Sequence, residues 1–150
     1  MITQFALGWM KSPGTASKAF KHAGNLALFE DYTQRISHYS KCPITSLPIY
    51  KDPLAGVLWI CDRGPGARLI SSEDLAQKLE RVRDSGARTL TIGIGDADGF
   101  SAENLKKLQP AFLWSFGPAT YPHELAAVMA AEQIYRAWTI LHHLPYHGKH

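Results

Sequence analysis

The sequence is poor in cysteine. Its two thiols, Cys42 and Cys61, stand alone without a Cys-x-x-Cys spacing, which excludes a disulfide framework and fits reduced thiols in an intracellular protein. No apolar run approaches about eighteen residues and no signal-peptide pattern opens the chain, so a soluble, cytoplasmic protein is expected. Internal repeats and low-complexity tracts are also absent, which removes solenoids and biased linkers from consideration. Charge is not extreme either, at +3 overall.

What is present is enough for one core. A chain of 150 residues favours a single domain over 1–150, which buries roughly 70% of its unfolded surface without metal or disulfide. The charge is unevenly placed. Up to Lys51 there are six Lys/Arg against two acids, Glu30 and Asp31, whereas residues 52–120 hold eight against nine. A basic first third could face phosphate, and it could equally be an ordinary solvated surface.

Read in order, the chain alternates strands and helices. Ile2 to Leu7 reads as a first strand, and Lys11 to Asn25, with its Pro, Gly and basic residues, as a loop or weak helical turn. Leu28, Phe29, Tyr32 and Ile36 recur at helical spacing, so Leu26 to Ile36 is expected to be a helix with Asn25 as N-cap. Ile44 to Tyr50 suggests a strand interrupted by Pro48. Val57 to Cys61 is continuously apolar, the pattern of a strand buried on both faces. Ser71 or Ser72 caps the next helix, with Asp74 in a loose capping box and Gly86 at the end. Thr89 to Ile94 and Ala111 to Phe116 read as strands around a short helix near Ser101 to Leu108. Together these predict an α/β fold, a mostly parallel sheet with helices on both faces.

The last thirty residues hold the longest element. From Pro122 to Leu144 no internal Gly or Pro interrupts an Ala- and Leu-rich run, which predicts one long helix. Ala127, Ala131, Ile134, Trp138 and Leu141 line one face, broadened by Val128 and Tyr135. The opposite side mixes Leu125, Met129 and Ile140 with Glu132, Arg136 and His143, so it too should be covered, by the chain or by a second subunit. Five of seven histidines fall in this tail. Their spacings do not match His-x-x-x-His or Cys/His metal patterns, and no metal is expected. Packing of the chain end is the plain account of Tyr146 and His147.

Three loops follow strand ends, at 61–66, 95–99 and 116–121. In open α/β sheets such loops converge on ligands, and glycines at 64, 66, 95, 99 and 117 would let backbone groups approach a nucleoside cofactor. Plain turns are the commoner explanation for such glycines. Gly93-x-Gly95 followed by Gly99 lacks the dinucleotide fingerprint spacing, and Asp96-Ala-Asp98-Gly99 lacks the other ligands of a calcium loop.

The ordered tail settles the weighting. Tyr121-Pro-His-Glu-Leu-Ala, Ala131-Glu-Gln-Ile-Tyr-Arg-Ala-Trp138 and Pro145-Tyr-His147 resemble the C-terminal signature of the RlmH family, ribosomal RNA methyltransferases of the SPOUT superfamily. Cys61-Asp-Arg-Gly64, Ser71-Ser-Glu-Asp-Leu-Ala76 and Ile94-Gly-Asp-Ala-Asp-Gly99 extend the resemblance upstream. It implies a C-terminal trefoil knot, a homodimer, and methylation of N3 of a pseudouridine in large-subunit (23S) ribosomal RNA on the assembled ribosome. The implied cofactor is S-adenosyl-L-methionine, contacted by Cys61, Gly95, Asp96, Phe116, Gly117, Pro118, Ala119, Thr120 and Tyr121. Substrate-side catalytic residues would be His123, Arg136, Tyr146 and His147, with His123 or His147 accepting a proton. For Arg136 an i,i+4 ion pair with Glu132 is the structural alternative.

Three positions depart from the family pattern. Asp96 stands where members carry a second glycine, and at φ > 0 it would be strained. Pro118 removes a backbone donor from the third loop. Gly148 replaces a basic residue after the final signature histidine. A catalytically silent ribosome-binding homodimer and a methyltransferase of the same fold acting on another RNA remain the alternatives.

Overall fold

The computed structural model describes residues 1–11, 16–47 and 56–148. The expected strand residues 48–50 and Lys149 lie outside them. Five strands form one all-parallel sheet: β1 (Ile2–Leu7), β2 (Ile44–Ser46), β3 (Val57–Cys61), β4 (Thr89–Ile94) and β5 (Phe112–Trp114), in the spatial order β2-β1-β4-β3-β5. The helices are α1 (Ala16–Ala19), α2 (Ala23–Ile36), α3 (Ser72–Asp84), α4 (Ala102–Leu108) and α5 (His123–Leu141).

Register follows from alternation. Ile44, Phe5, Ile92, Trp59 and Phe112 are aligned across all five strands, and they face the main core built with α2, α3 and α5. The next row turns the other way, and Ile60 packs there with Leu58, Leu108 and the partly buried Leu105 and Leu113 under α4. Both faces are therefore covered, which is why β3 reads as an unbroken apolar run. Gly93 belongs to the second row. A Cβ there would lie 2.7 Å from Ile60 Cδ1, so a larger residue would require the end of the Ile60 side chain to shift.

Local signals act as expected at α3 and α4. Ser71 Oγ accepts from the Asp74 amide at 3.1 Å, and Ser101 Oγ from the Asn104 amide at 3.0 Å. The start of α2 differs. It begins at Ala23, its N-cap is His22, and no side chain of its own segment caps it. The carboxylate of Glu124 does so from α5, accepting from the amides of Lys21 at 2.8 Å and His22 at 3.3 Å, and from Asn25 Nδ2 at 3.4 Å. Asn25 is thus a partner of the cap rather than the cap.

Helix α5 buries the expected stripe, including Ala127, Ala131, Ile134 and Trp138. Its back is covered in part: Ile140 packs against the core and Glu132 and Arg136 lie under Tyr146 and His147, whereas Leu125 is 37% exposed and Met129 lines an open groove of about 530 Å³ with Leu28, Tyr32, Leu69 and Val128. Leu28 and Leu69 are themselves 47% and 70% exposed.

Candidate active site

A parallel sheet sends the ends of β3, β4 and β5 in one direction, and the three loops leaving them meet in a cleft of about 160 Å³. Cys61, Gly95, Asp96, Phe116, Gly117, Ala119, Thr120, Tyr121 and His123 line it, together with Asp62 and Arg63, whereas Pro118 does not.

The loop after β4 is built by its own chemistry. Asp96 Oδ1 accepts from the Asp98 amide at 2.9 Å, and the Asp96 carbonyl accepts from the Gly99 amide at 3.0 Å. Gln109 and His143 are the described non-glycine residues with positive φ. Asp96 is therefore unstrained, and its carboxylate serves the turn in the manner of an Asx-turn. At Gly95 a Cβ would meet Phe100 Cε2 at 2.9 Å and Gly99 Cα at 3.2 Å. Gly117, at φ +114°, adopts a conformation open to glycine alone. Gly95 is thus fixed by the packing of its own loop, while Gly117 leaves open space on its side of the cleft. The Cys61 thiol, pushed up by burial and by the charge of Asp62, stays protonated and is no nucleophile.

His123 opens α5 at the rim of the cleft. Its ring stands edge-on to Trp9, with centroids 4.5 Å apart, and Trp9 in turn stands edge-on to Phe20. Neither ring nitrogen of His123 has a hydrogen-bond partner among the described residues. The adjacent Glu124 is 3% exposed. Burial pushes its pKa up, but the amides of Lys21 and His22 and the amide side chain of Asn25 outweigh that and hold it below the ordinary value. A folded-state pKa below the unfolded one contributes stability above the ordinary carboxylate range and loses it as pH falls through the folded value. Glu124→Ala is expected to cost about 2–3 kcal/mol at neutral pH by orphaning these donors. The gap from the natural protein in urea melts should narrow as the pH is lowered below the carboxylate range. A gap that widens there would refute the assignment.

Arg136, Tyr146 and His147 are not brought to this cleft. Thirteen residues separate Arg136 from His123 along α5, which is about 20 Å at 1.5 Å per residue. There the expected ion pair forms, with Arg136 Nη2 and Nε at 2.6 and 3.0 Å from Glu132 Oε1. Tyr146 donates to the same oxygen at 3.0 Å, with its ring under the Arg136 guanidinium. Burial first, then Tyr32 and Glu132, raise the Tyr146 pKa, so it stays a phenol. Arg136 Nη1 lies 3.0 Å from His147 Nδ1, and His147 Nε2 lies 2.7 Å from Glu73 Oε1. Because a guanidinium only donates, Nδ1 accepts and the proton sits on Nε2, which donates to Glu73. Both nitrogens of His147 are thereby occupied.

Comparison with known proteins decides the lineage. The family profile described as "Predicted SPOUT methyltransferase" matches residues 16–147. The chain belongs to this SPOUT methyltransferase family. It is 36% identical over 140 residues to the "Ribosomal RNA large subunit methyltransferase H" of Koribacter versatilis, covering 87% of this chain and 92% of that protein. The protein of the same name from Methylocella silvestris is 48% identical over 92 residues, 55% of this chain and 56% of its own length. With that relative and its counterpart from Maricaulis maris, 43% identical over 96 residues, the match spans little more than half of their length, 56% and 58%. Among solved structures, a "probable methylase family protein" from Haemophilus influenzae superposes with a TM-score of 0.51 at 13% identity, covering 95% of this chain and 66% of that one. This likeness concerns the fold.

Within the SPOUT frame, sequence reasoning missed three participants. Trp9 lies outside every motif, whereas Glu124 and Arg63 stand inside Tyr121-Pro-His-Glu-Leu-Ala and Cys61-Asp-Arg-Gly64 with no role assigned to them. The contacts that reveal Trp9 and Glu124 run across more than a hundred positions.

Proposed function

We propose that this SPOUT protein is an S-adenosylmethionine-dependent methyltransferase that methylates N3 of a pseudouridine in large-subunit ribosomal RNA, working in the cytoplasm as a homodimer with a C-terminal trefoil knot. The observation that carries this reading is the convergence of three glycine-bearing loops on one cleft, with a histidine at its rim whose ring nitrogens have no hydrogen-bond partner among the described residues. The curated relatives' shared name supplies the substrate class.

When bound, the cofactor supplies a methyl group on a positively charged sulfur. Gly95, Asp96, Gly117 and the backbone through Tyr121, which line the cleft, would hold it. The chain's remaining task is the proton. The target N3–H is weakly acidic, and it must leave as the N–C bond forms. His123 takes it at a free ring nitrogen, with Trp9 fixing the ring. His147, saturated by Arg136 and Glu73, is the poorer acceptor.

The homodimer has two supports. One is the apolar groove beside α5, with half-exposed Leu28 and strongly exposed Leu69 at its edge. The other is the 20 Å between His123 and Arg136 on one helix. Both can act on one base only if a second copy contributes one of them.

Calorimetric titration with S-adenosylmethionine tests the reading. Binding with a Kd on the order of 10 μM, about −7 kcal/mol, is expected for the natural protein. Asp96→Gly, which loses the turn to Asp98, should bind no more tightly. Silence in the natural protein with binding restored in the variant would make Asp96 a lesion and the catalytically silent homodimer the correct reading.

A further inference from the structure

Helix α3 carries a cationic cluster that the cleft does not use. Lys78 and Arg81 lie one turn apart on α3, and Lys78 Nζ sits 4.5 Å above the ring of Phe112 on the edge strand β5. Arg68 is pinned to the outer edge of the same strand. Its amide donates to the Leu113 carbonyl at 2.9 Å and its carbonyl accepts from the Ser115 amide at 3.0 Å, in a parallel bridge opposite Trp114. Paired residues in a ladder share a face, so the Arg68 side chain leaves the sheet on the side of Trp114, Phe112 and α3.

No acid of α3 forms an ion pair with these three charges among the described residues. Glu73 is hydrogen-bonded to His147, Glu80 and Asp84 pair with Arg83, and Asp74, one turn before Lys78, makes no salt bridge to it. None of the salt bridges among the described residues involves Arg68, Lys78 or Arg81. Instead the three act on one another: the Lys78 pKa is lowered by burial, then by Arg81, then by Arg68. Like charges held together at a sheet edge cost stability, and an anion spanning them would relieve that cost. Arg63, five residues before Arg68 in the same connection, is exposed and lines the cleft beside Asp62, Asp96 and Asp98, so this connection carries one cation at the cleft and one at the sheet edge.

The geometry points to Arg68, Lys78 and Arg81 as a docking patch for the phosphate backbone of ribosomal RNA, gripping the strand that leads away from the base held in the cleft. This rests on the ribosomal RNA reading above and adds the surface by which the substrate is held. Two guanidinium groups suit bidentate contact with phosphate, and the ammonium between them supplies a point charge.

The test measures retention of the protein by purified assembled ribosomes across about 50–200 mM salt. The variants are the triple Arg68→Gln, Lys78→Gln, Arg81→Gln and a charge-matched control, Lys41→Gln, Arg88→Gln, Lys106→Gln. Each phosphate contact contributes roughly 0.7–0.9 to the slope of log K against log salt. The triple variant is expected to lose about 2 from that slope and to bind at least about tenfold more weakly at low salt, with S-adenosylmethionine affinity unchanged. Arg68→Gln with Arg81→Gln, both exposed, leaves the Lys78–Phe112 contact intact and should lose about two-thirds of the effect. Wild-type slope in either variant, or an equal loss in the control, overturns the patch while leaving the enzyme reading standing. Failure of the natural protein to bind assembled ribosomes or cofactor would instead remove the ribosomal RNA reading, and the patch with it.

Discussion

Trp138→Ala is expected to lower the stability of this protein by about 3–5 kcal/mol, the range for emptying a buried aromatic site. The ring is 3% exposed on the core face of α5. It lies parallel to Tyr39, 6.4 Å away at an interplanar angle of 5°, and Tyr39 also contacts His142 at 4.8 Å. Trp138 therefore joins the end of α5 to the turn after α2, two segments a hundred residues apart. Neighbouring small residues such as Ala137 and Ala131 cannot collapse into the gap. Its Nε1 is buried without a hydrogen-bond partner, so part of the tryptophan's packing gain is already offset. Trp138→Phe removes that orphan donor along with some volume and should cost less than about 1.5 kcal/mol. Urea denaturation measures both. An unchanged melting curve for the alanine variant would contradict the placement of α5 against the core.

The sequence made the sheet legible because burial on both faces leaves an unambiguous mark. Val57 to Cys61 and Thr89 to Ile94 coincide with β3 and β4 at both ends, and Ser71 caps α3 as its spacing with Asp74 indicated. Loop convergence was equally legible, since the ends of parallel strands share one edge. What local pattern could not carry was the cap of α2. Asn25 has the right chemistry for an N-cap, but the carboxylate that caps the helix comes from Glu124, far along the chain. No periodicity encodes a contact of that separation. The same limit applies to the tail. Motif resemblance grouped His123 with Arg136, Tyr146 and His147, whereas helix geometry separates them by about 20 Å. An ordered motif reports common ancestry, and only the three-dimensional placement says which of its members share one site in one subunit.

Glu132→Ala should separate the two clusters functionally. Glu132 Oε1 accepts from both Nε and Nη2 of Arg136 and from the Tyr146 hydroxyl, while Oε2 accepts from Gln133. Both members of the ion pair are 18% exposed, so removing the carboxylate leaves a mostly desolvated guanidinium and a half-buried phenol without their acceptor. That should cost about 2–3 kcal/mol, below the 3–5 kcal/mol of a fully buried pair because some solvent remains. The loss also propagates through Arg136 to His147 and its contact with Glu73, so the chain end loses its anchors in sequence. With Arg136 and the tail residues misplaced, methyl transfer to ribosomal RNA should fall by about 100-fold, the scale of a catalytic group displaced by an ångström. The cleft loops make none of these contacts, so S-adenosylmethionine affinity should be unchanged. Glu132→Gln keeps the shape of the acceptor and should recover part of the transfer rate. A variant that loses cofactor affinity in step with transfer would show that the tail supports the cleft itself, and one that methylates normally would make the whole cluster structural.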